Sequence, residues 1–249
     1  MKRFIITGHS SGLGEALARR LLAPEHEVIG LARRRNAALD DVSRAAALPL
    51  QQVELDLSEV STLDEQFTDL LAGLEWEGVE DVYLVNNAGT VQPIAVPGRQ
   101  DPDEVVAALQ LNLIAPVLLS NALLRHTDAL PVQRHILHIS SGAGRKPYSG
   151  WSVYCAGKSG LDHYTRSVGQ DQPERLQMAS LAPGIIDTDM QQQIRDSDPE
   201  DFPLRPQFLH YYHHGELSSA DSVAVRIADF LLSGSMGCGD ILDLRDMEP

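Results

Sequence analysis

Short apolar runs alternate along the chain with longer segments in which apolar residues recur every three to four positions. The short runs are rich in β-branched residues and predict buried strands, whereas the longer periodicity predicts amphipathic helices. Strands are predicted at residues 3–7, 27–32, 52–55, 82–86, 135–140, 178–182 and 241–244. Helices are predicted at residues 13–22, 63–74, 104–125, 153–169, 220–232 and, from a weaker pattern, 37–47.

This strict alternation predicts the arrangement of the elements in space. Strand-helix-strand units form right-handed crossovers, and we therefore expect an α/β, doubly wound fold with seven mostly parallel strands flanked by helices. The chain shows no internal repeat and no linker, so residues 1–249 are expected to form one domain. From about residue 190 to 217 the periodicity is lost, and this stretch predicts a lid over the site.

The composition excludes several classes of partner. Aspartate and glutamate number 35 against 20 for lysine and arginine, which gives a formal net charge of −15. A surface this acidic repels phosphate backbones and anionic lipids, so we expect neither a nucleic acid nor a membrane as partner. The chain contains only 2 cysteines and no long uninterrupted apolar run, which predicts a cytoplasmic globular protein.

A glycine-rich loop follows the first predicted strand and leads into a helix. Residues 7–14 read Thr-Gly-His-Ser-Ser-Gly-Leu-Gly. Glycines at such a place allow a tight turn and let backbone amides at a helix N-terminus approach a pyrophosphate. The spacing differs from Gly-x-Gly-x-x-Gly, and an ordinary strand-to-helix turn is the alternative. The candidate cofactor-binding residues in this loop are Gly8, Ser10, Ser11, Gly12, Leu13 and Gly14.

Small, turn-forming residues end two further strands at the same predicted edge of the sheet. Asn87, Ala88 and Gly89 follow the fourth strand, and Pro183 and Gly184 follow the sixth. Turn chemistry alone would explain both clusters. Because a cofactor groove of this fold lies at the carboxyl ends of the strands, we include all five as candidate cofactor-binding residues.

A tyrosine and a lysine supply more specific chemistry. Tyr154 and Lys158 stand four residues apart and share one face of a predicted helix. A cation beside a phenol favours the phenolate, so we expect Lys158 to lower the pKa of Tyr154 toward neutrality. Ser141, at the end of the fifth strand, is placed to hydrogen-bond a substrate carbonyl. For Tyr154 and Lys158 in isolation, the alternative is an exposed pair without chemistry.

These residues together resemble the ordered motifs of the short-chain dehydrogenases/reductases. The matching motifs are residues 7–14, residues 86–89, Asn112, Ser141, Tyr154, Lys158 and residues 183–184, and they extend over essentially the whole chain. Residues 110–117, 147–152 and 184–190 are most similar to the sepiapterin reductase and benzil reductase branch. The resemblance implies a Rossmann fold and an NAD(P)-dependent short-chain oxidoreductase acting on CH–OH or C=O groups.

The resemblance also implies a role for each catalytic candidate. Tyr154 would be the general acid that protonates the alkoxide, and the base in the reverse direction. Lys158 would lower the pKa of Tyr154 and bind the nicotinamide ribose, and Ser141 would polarise the carbonyl. Asn112 would hold a water molecule that passes the proton from Lys158 to solvent.

The choice of cofactor depends on the end of the second strand. Arg33 and Arg34 lie where an aspartate would repel a 2′-phosphate, and both can bind phosphate through charge-assisted hydrogen bonds. We therefore expect NADPH/NADP rather than NADH, with solvated loop arginines as the alternative. The resemblance adds Asp56 as a contact of the adenine amine, and Ile186 and Thr188 as contacts of the carboxamide.

Aromatic residues near the predicted site bear on the substrate. Tyr148 and Trp151 lie between Ser141 and Tyr154, and they predict an aromatic wall suited to a planar or aryl substrate. A structural turn packed by its own aromatic side chains is the alternative.

Histidines near the end of the predicted lid raise the question of a metal site. His210, His213 and His214 lack the spacing of a His-Glu-x-x-His helix, and no carboxylate or thiol pattern completes a ligand set. We expect no metal here, and interpret the segment as a lid helix or a subunit contact. His9, in the glycine loop, receives no role.

The sequence therefore predicts an NADPH-dependent carbonyl reductase that transfers hydride to a ketone or vicinal diketone, either benzil-like or a pteridine side-chain carbonyl. Two alternatives stay open: a non-catalytic dinucleotide-binding redox sensor, and a 3-oxoacyl-thioester reductase. The expected partner is a small-molecule carbonyl substrate. The resemblance also implies a homodimer or homotetramer formed through residues 104–125 and 153–169.

Overall fold

A single parallel sheet runs through the computed structural model, which describes residues 1–247. Its strands are β1 (Lys2–Thr7), β2 (His26–Ala32), β3 (Leu50–Glu54), β4 (Asp81–Asn86), β5 (Gln133–Ile139), β6 (Leu176–Ala182) and β7 (Cys238–Asp243). Their order is β3-β2-β1-β4-β5-β6-β7, and each neighbouring pair is parallel. The predicted seven-stranded doubly wound sheet is thereby confirmed. The order reverses between β1 and β4, where a crevice opens at the carboxyl ends of the strands.

Nine α-helices lie within the described residues. They are α1 (Gly12–Leu21), α2 (Ala37–Ala46), α3 (Val60–Ala72), α4 (Pro102–Leu109), α5 (Ala115–Thr127), α6 (Ser152–Asp171), α7 (Asp189–Arg195), α8 (Arg205–His213) and α9 (Ala220–Leu232). The short helices α7 and α8 occupy the aperiodic stretch that predicted a lid. Neither is long enough to show a helical period in the sequence.

Apolar side chains cover both faces of the sheet, as a sheet packed between two layers of helices requires. In β1, Phe4 and Ile6 belong to one apolar cluster and Ile5 to the other, because successive side chains of a strand point to opposite faces. The first cluster includes Leu17 of α1 and side chains of α9, and the second includes Phe67 of α3 and side chains of α5. These two clusters form the core that positions the strand ends.

The long helix predicted at residues 104–125 is interrupted. Gln110–Ile114, between α4 and α5, form a π-helical turn in which each hydrogen bond spans one more residue than in an α-helix. Such turns occur frequently at functional sites. This turn contains Asn112, whose side chain is buried.

The sequence predicted no membrane-spanning segment. By length and composition alone, the helical stretch Pro102–Thr127 is nevertheless apolar enough to cross a membrane. A helix in the core of a folded domain meets the same two criteria, and here α5 packs against α3 and α4 packs against α6. The stretch is therefore only weak evidence for a membrane span.

A histidine lies fully buried in the central sheet. His138 of β5 places Nδ1 3.1 Å from Nδ2 of Asn86 in β4. Burial, together with the positive charge of Lys158, lowers the pKa of His138 from 6.5 to about 3. The folded chain therefore keeps this imidazole neutral at pH values at which the unfolded chain protonates it.

We predict that the free energy of unfolding falls as the pH decreases from about 6.5 to about 3, because the unfolded chain binds a proton that buried His138 does not. This one group contributes a slope of at most about 1.4 kcal/mol per pH unit. His138→Gln, which keeps an acceptor for Asn86, should flatten the slope in urea denaturation series. His163→Gln, on the exposed surface of α6, should not. Equal slopes in wild type and His138→Gln would contradict the prediction.

Candidate active site

A cavity of about 980 Å³ lies at the carboxyl ends of the strands. Its wall runs from the glycine loop and residues 33–34 to Ser141, Tyr154 and Lys158. All the site residues predicted from the sequence line this cavity except Gly14 and Asn112. The structure thus brings together residues that are spread over more than half of the chain.

The glycine loop is packed too closely to accept side chains. A Cβ atom on Gly14 would lie 2.2 Å from the carbonyl oxygen of Gly8, which has a φ of +71°. Asn87 holds this loop from the neighbouring strand, because its Nδ2 donates hydrogen bonds to the carbonyl oxygens of Thr7 (2.9 Å) and Gly8 (3.4 Å). Helix α1 begins at Gly12, so a helix N-terminus opens at the cavity wall.

Residues 33–35 are three consecutive arginines, named the arginine loop here. They differ in whether they form an ion pair. Arg35 donates to both carboxylate oxygens of Asp40, at 3.0 and 3.2 Å. Arg33 and Arg34 line the cavity, are exposed, and form no ion pair with any residue from 1 to 247. Hydrogen bonds from Ser58 and the positive charge of Arg33 lower the pKa of Asp56 on the same wall. This end of the cavity is therefore suited to an anion.

His9 has a structural role that the sequence did not suggest. Its ring is fully buried, so close to Gly30 that a Cβ atom there would lie 2.3 Å from it. His9 Nε2 lies 2.7 Å from Gln52 Oε1, and Gln52 exchanges two hydrogen bonds with the backbone of Asn36. Asn36 Nδ2 donates to the carbonyl oxygen of Ser10 at 3.1 Å. These contacts hold Asn36, the residue directly after the arginine loop, against the glycine loop.

Burial dominates the electrostatics at the other end of the cavity. Tyr154 and Lys158 lie one turn apart on α6, both buried, with Lys158 Nζ 5.8 Å from the centroid of the tyrosine ring. Lys158 Nζ donates to the carbonyl oxygen of Ile139 at 2.8 Å. Burial raises the pKa of Tyr154 to about 12, while the Ser141 hydroxyl acts to lower it. Burial lowers the pKa of Lys158 to about 8, while the charge of Asp162 acts to raise it.

The expected lowering of the Tyr154 pKa by Lys158 is therefore not found in the structure. Removal of water from the phenol outweighs the hydrogen bond with Ser141, which acts to lower the pKa of Tyr154. The Lys158 ammonium donates its hydrogen bond to the Ile139 carbonyl rather than to the phenol. The phenol thus keeps its proton at neutral pH. In this state Tyr154 can act as a proton donor.

Asn112 does not line the cavity but lies directly behind it. Its Oδ1 accepts a hydrogen bond from the Thr90 N–H at 2.9 Å, and its Nδ2 donates to the Thr90 carbonyl at 2.8 Å. A Cβ atom on Gly89 would lie 2.9 Å from Asn112 Oδ1 and 3.6 Å from Lys158 Nζ, so the amide is close to the lysine. A second N–H and a second lone pair of the amide remain for a water molecule. The water itself stays a prediction.

Sequence reasoning missed a buried aspartate, Asp162, one helical turn after Lys158. Asp162 Oδ1 accepts hydrogen bonds from Ser140 and Ser180, each at 2.6 Å. Its Oδ2 accepts from Arg145 Nε at 3.3 Å. The carboxylate joins α6 to the ends of β5 and β6 beside the site. Its spacing of four residues from the lysine is the signal that could have revealed it.

The aromatic residues form one cluster with the lid. Trp151 is only 5% exposed, stacks on Phe202 at 4.7 Å between centroids and meets Phe208 of α8 edge-on at 5.2 Å. It also contacts the ring of Tyr154 at 5.4 Å. Trp151 therefore serves mainly to hold the lid in place, and little of its ring is free to contact a substrate. Tyr148, which packs on it at 5.8 Å, is the more accessible of the two predicted substrate contacts.

Known proteins match this chain along its length. A family model described as short chain dehydrogenase matches residues 2–199. The benzil reductase ((S)-benzoin forming) of Bacillus subtilis (strain 168) is 37% identical over 249 residues, covering 99% of each chain. The sepiapterin reductase of Meriones unguiculatus is 30% identical over 255 residues, covering 97% of this chain and 95% of its own. The crystal structure of the KRED1-Pglu enzyme superposes with a TM-score of 0.83 at 26% identity, covering 97% of this chain and 100% of its own.

Proposed function

Because this chain belongs to the short-chain dehydrogenase family and is an NAD(P)-dependent oxidoreductase, we propose that it reduces a ketone or vicinal diketone with NADPH as the hydride donor. The name of its Bacillus subtilis relative points to benzil, an aryl diketone. One observation carries the proposal: a single cavity has at one end Arg33 and Arg34, which form no ion pair within residues 1–247, and at the other end buried Tyr154 and Lys158.

The residues along the cavity fit a dinucleotide that carries an additional phosphate. The glycine loop lines the cavity beside the N-terminus of α1, where the helix dipole favours negative charge such as that of a pyrophosphate. Arg33 and Arg34 present guanidinium groups to a 2′-phosphate, and no acidic residue takes the place of either. Ile186 and Thr188 also line the cavity and would hold the nicotinamide carboxamide. The bound cofactor would supply the hydride.

The protein's own residues would supply the proton. Ser141 would orient the carbonyl, and the neutral phenol of Tyr154 would donate its proton to the developing alkoxide. Lys158, with a pKa of about 8, carries a positive charge at neutral pH that stabilises the resulting phenolate. A lysine poised this close to neutrality can release a proton and regain one through the water that we expect at Asn112.

The cavity wall supports an aryl substrate. Tyr148 packs on Trp151, and Trp151 is fixed by the lid residues Phe202 and Phe208. We propose that an aromatic substituent stacks on Tyr148 while the carbonyl reaches Tyr154. Residues of α7 and α8 would close the opposite side, which is the lid that the sequence predicts at about 190–217.

We also propose that the chain forms a homodimer or homotetramer through α4, α5 and α6. Val106 of α4 and Ile114 of the π-helical turn are large apolar side chains that are exposed in the structure. Contact with a second copy would remove both from water.

We predict that Arg33→Ala weakens NADPH binding by about ten- to a hundredfold and leaves NADH binding unchanged, because loss of a hydrogen bond to a charged group costs about 1.5–3 kcal/mol. Fluorescence titration of both cofactors measures the effect. The control is Arg44→Ala, an exposed arginine of α2 that pairs with Asp41 and does not line the cavity. Equal affinity of the wild type for NADPH and NADH would refute the assigned preference.

We predict that Tyr154→Phe lowers kcat for benzil reduction by about 10²- to 10⁴-fold, the usual contribution of a positioned general acid. NADPH binding should be retained, which separates loss of chemistry from loss of the cofactor site. Tyr164→Phe, on the same helix but outside the cavity, is the matched control. Undiminished turnover in Tyr154→Phe would exclude this tyrosine as the acid.

A further inference from the structure

The C-terminal end of the lid helix α8 brings together three ligand-type side chains. His210, His214 and Glu216 each offer one potential ligand atom, and these three atoms lie within 4.8 Å of one another. The two imidazole rings stack at 3.8 Å between centroids, and His210 Nε2 lies 3.4 Å from Glu216 Oε1. These three residues are named the histidine corner here. All three are exposed, so an ion could reach them from solvent.

Backbone hydrogen bonds fix the place of the carboxylate. Gly215, in the left-handed region at φ +68°, ends the helix by donating its N–H to the Tyr212 carbonyl at 3.2 Å. Glu216 then donates its N–H to the Tyr211 carbonyl at 2.9 Å. These two bonds form a Schellman motif, which folds the chain back over the helix end. The turn therefore carries Glu216 to His210, a proximity that the linear ligand spacing did not reveal.

The hydrogen bonds at the corner also leave a ring nitrogen free. His214 Nδ1 lies 2.9 Å from the carbonyl oxygen of His210. A carbonyl can only accept, so Nδ1 carries the proton and Nε2 keeps its lone pair. Histidine ligands of metals are commonly oriented in this way, by donating the other ring N–H to a backbone carbonyl.

The separation of His210 from Glu216 suits a small tetrahedral cation. Two ligands that each lie at about 2.0–2.1 Å from a zinc ion in tetrahedral geometry are about 3.4 Å apart. The separation of His210 Nε2 from Glu216 Oε1 has this value, and it is longer than an ordinary N–H···O hydrogen bond. Two imidazoles and one carboxylate form a ligand set typical of Zn²⁺, whereas Mg²⁺ and Ca²⁺ prefer oxygen ligands alone.

We propose that the histidine corner binds one divalent transition-metal ion of the Zn²⁺ class, with water completing the coordination. This revises the expectation from the sequence that residues 210–214 hold no metal. The net charge of −15 favours the approach of a cation to the surface.

Because the histidine corner lies at the end of the lid helix α8, an ion bound there would affect the motion of the lid. Helix α8 contributes Gln207, Phe208 and Tyr211 to the wall of the large cavity. Two residues after Glu216, Ser218 exchanges backbone hydrogen bonds with the segment 185–187, next to the proposed nicotinamide contacts. An ion held by residues 210, 214 and 216 therefore ties the lid helix to a segment anchored in the body of the protein. Opening of α8 becomes slower while the ion is bound.

Titration of Zn²⁺ into the full chain by calorimetry tests the site. We expect one Zn²⁺ per wild-type chain and no comparable binding of Mg²⁺. His210→Ala and His214→Ala should each weaken Zn²⁺ binding by more than about tenfold. Loss of a residue that only hydrogen-bonds to a metal ligand already weakens binding by about tenfold or more, and loss of a ligand itself should cost more. Glu216→Gln, an isosteric change at an exposed position, should also weaken it. His213→Ala is the control, because this neighbouring histidine is exposed and lies outside the corner.

Two outcomes would overturn the site: no Zn²⁺ binding by the wild type, or equal binding by the wild type and the three corner variants. Hydrogen exchange of the α8 amides in the same samples tests the consequence for the lid. Slower exchange with Zn²⁺ in wild type and His213→Ala, but not in Glu216→Gln, would support it. Unchanged exchange in a chain that binds Zn²⁺ would refute the effect on the lid.

Discussion

Removal of water from the Tyr154 and Lys158 side chains is the constraint on which the proposed chemistry depends. The ammonium group donates to the Ile139 carbonyl at the end of β5, and Asn112 lies beside it in a π-helical turn. The aromatic cluster of the lid encloses the phenol through Trp151. Burial raises the pKa of the phenol and lowers that of the ammonium, so the two values lie about 4 units apart, at about 12 and about 8. Near neutral pH both groups hold protons, and the lysine is the one that exchanges its proton readily.

At the other end of the cavity the fold depends on close packing. Helix α1 can pack closely on the glycine loop because Gly14 has no side chain that would clash with the Gly8 carbonyl. The buried ring of His9 occupies the space that Gly30 leaves free, and through Gln52 it supports the arginine loop. Hydrogen bonds thus hold in place the loop that carries Arg33 and Arg34, whose guanidinium groups have no ion-pair partner among the described residues 1–247. One end of the cavity carries positive charge suited to an anion, and the other holds two buried side chains that can carry protons. The proposed hydride transfer from a phosphorylated dinucleotide to a carbonyl would need both.

The alternation of strands and helices was sufficient to predict the sheet, because apolar periodicity reports which faces of an element are buried. It did not predict the π-helical turn at Asn112, because the additional residue alters the apolar spacing over a single turn of five residues only. The motifs placed Tyr154 and Lys158 together, but the sign of the pKa shift of the phenol depends on the depth of burial, which spacing does not report. Asp162 was missed because tertiary packing brings it to Ser140 and Ser180. Glu216 was missed because the left-handed Gly215 turns the chain so that Glu216 meets His210.

The pH dependence of kcat for benzil reduction by NADPH, compared between wild type and Asp162→Asn, tests the central claim most directly. Buried Lys158 should cause kcat to fall above about pH 8, where the lysine loses its proton. The Asp162 charge raises the pKa of Lys158, so the asparagine variant should show this fall at lower pH while keeping its activity at acidic pH. A wild-type profile without a fall near pH 8, or an identical profile in Asp162→Asn, would contradict the account.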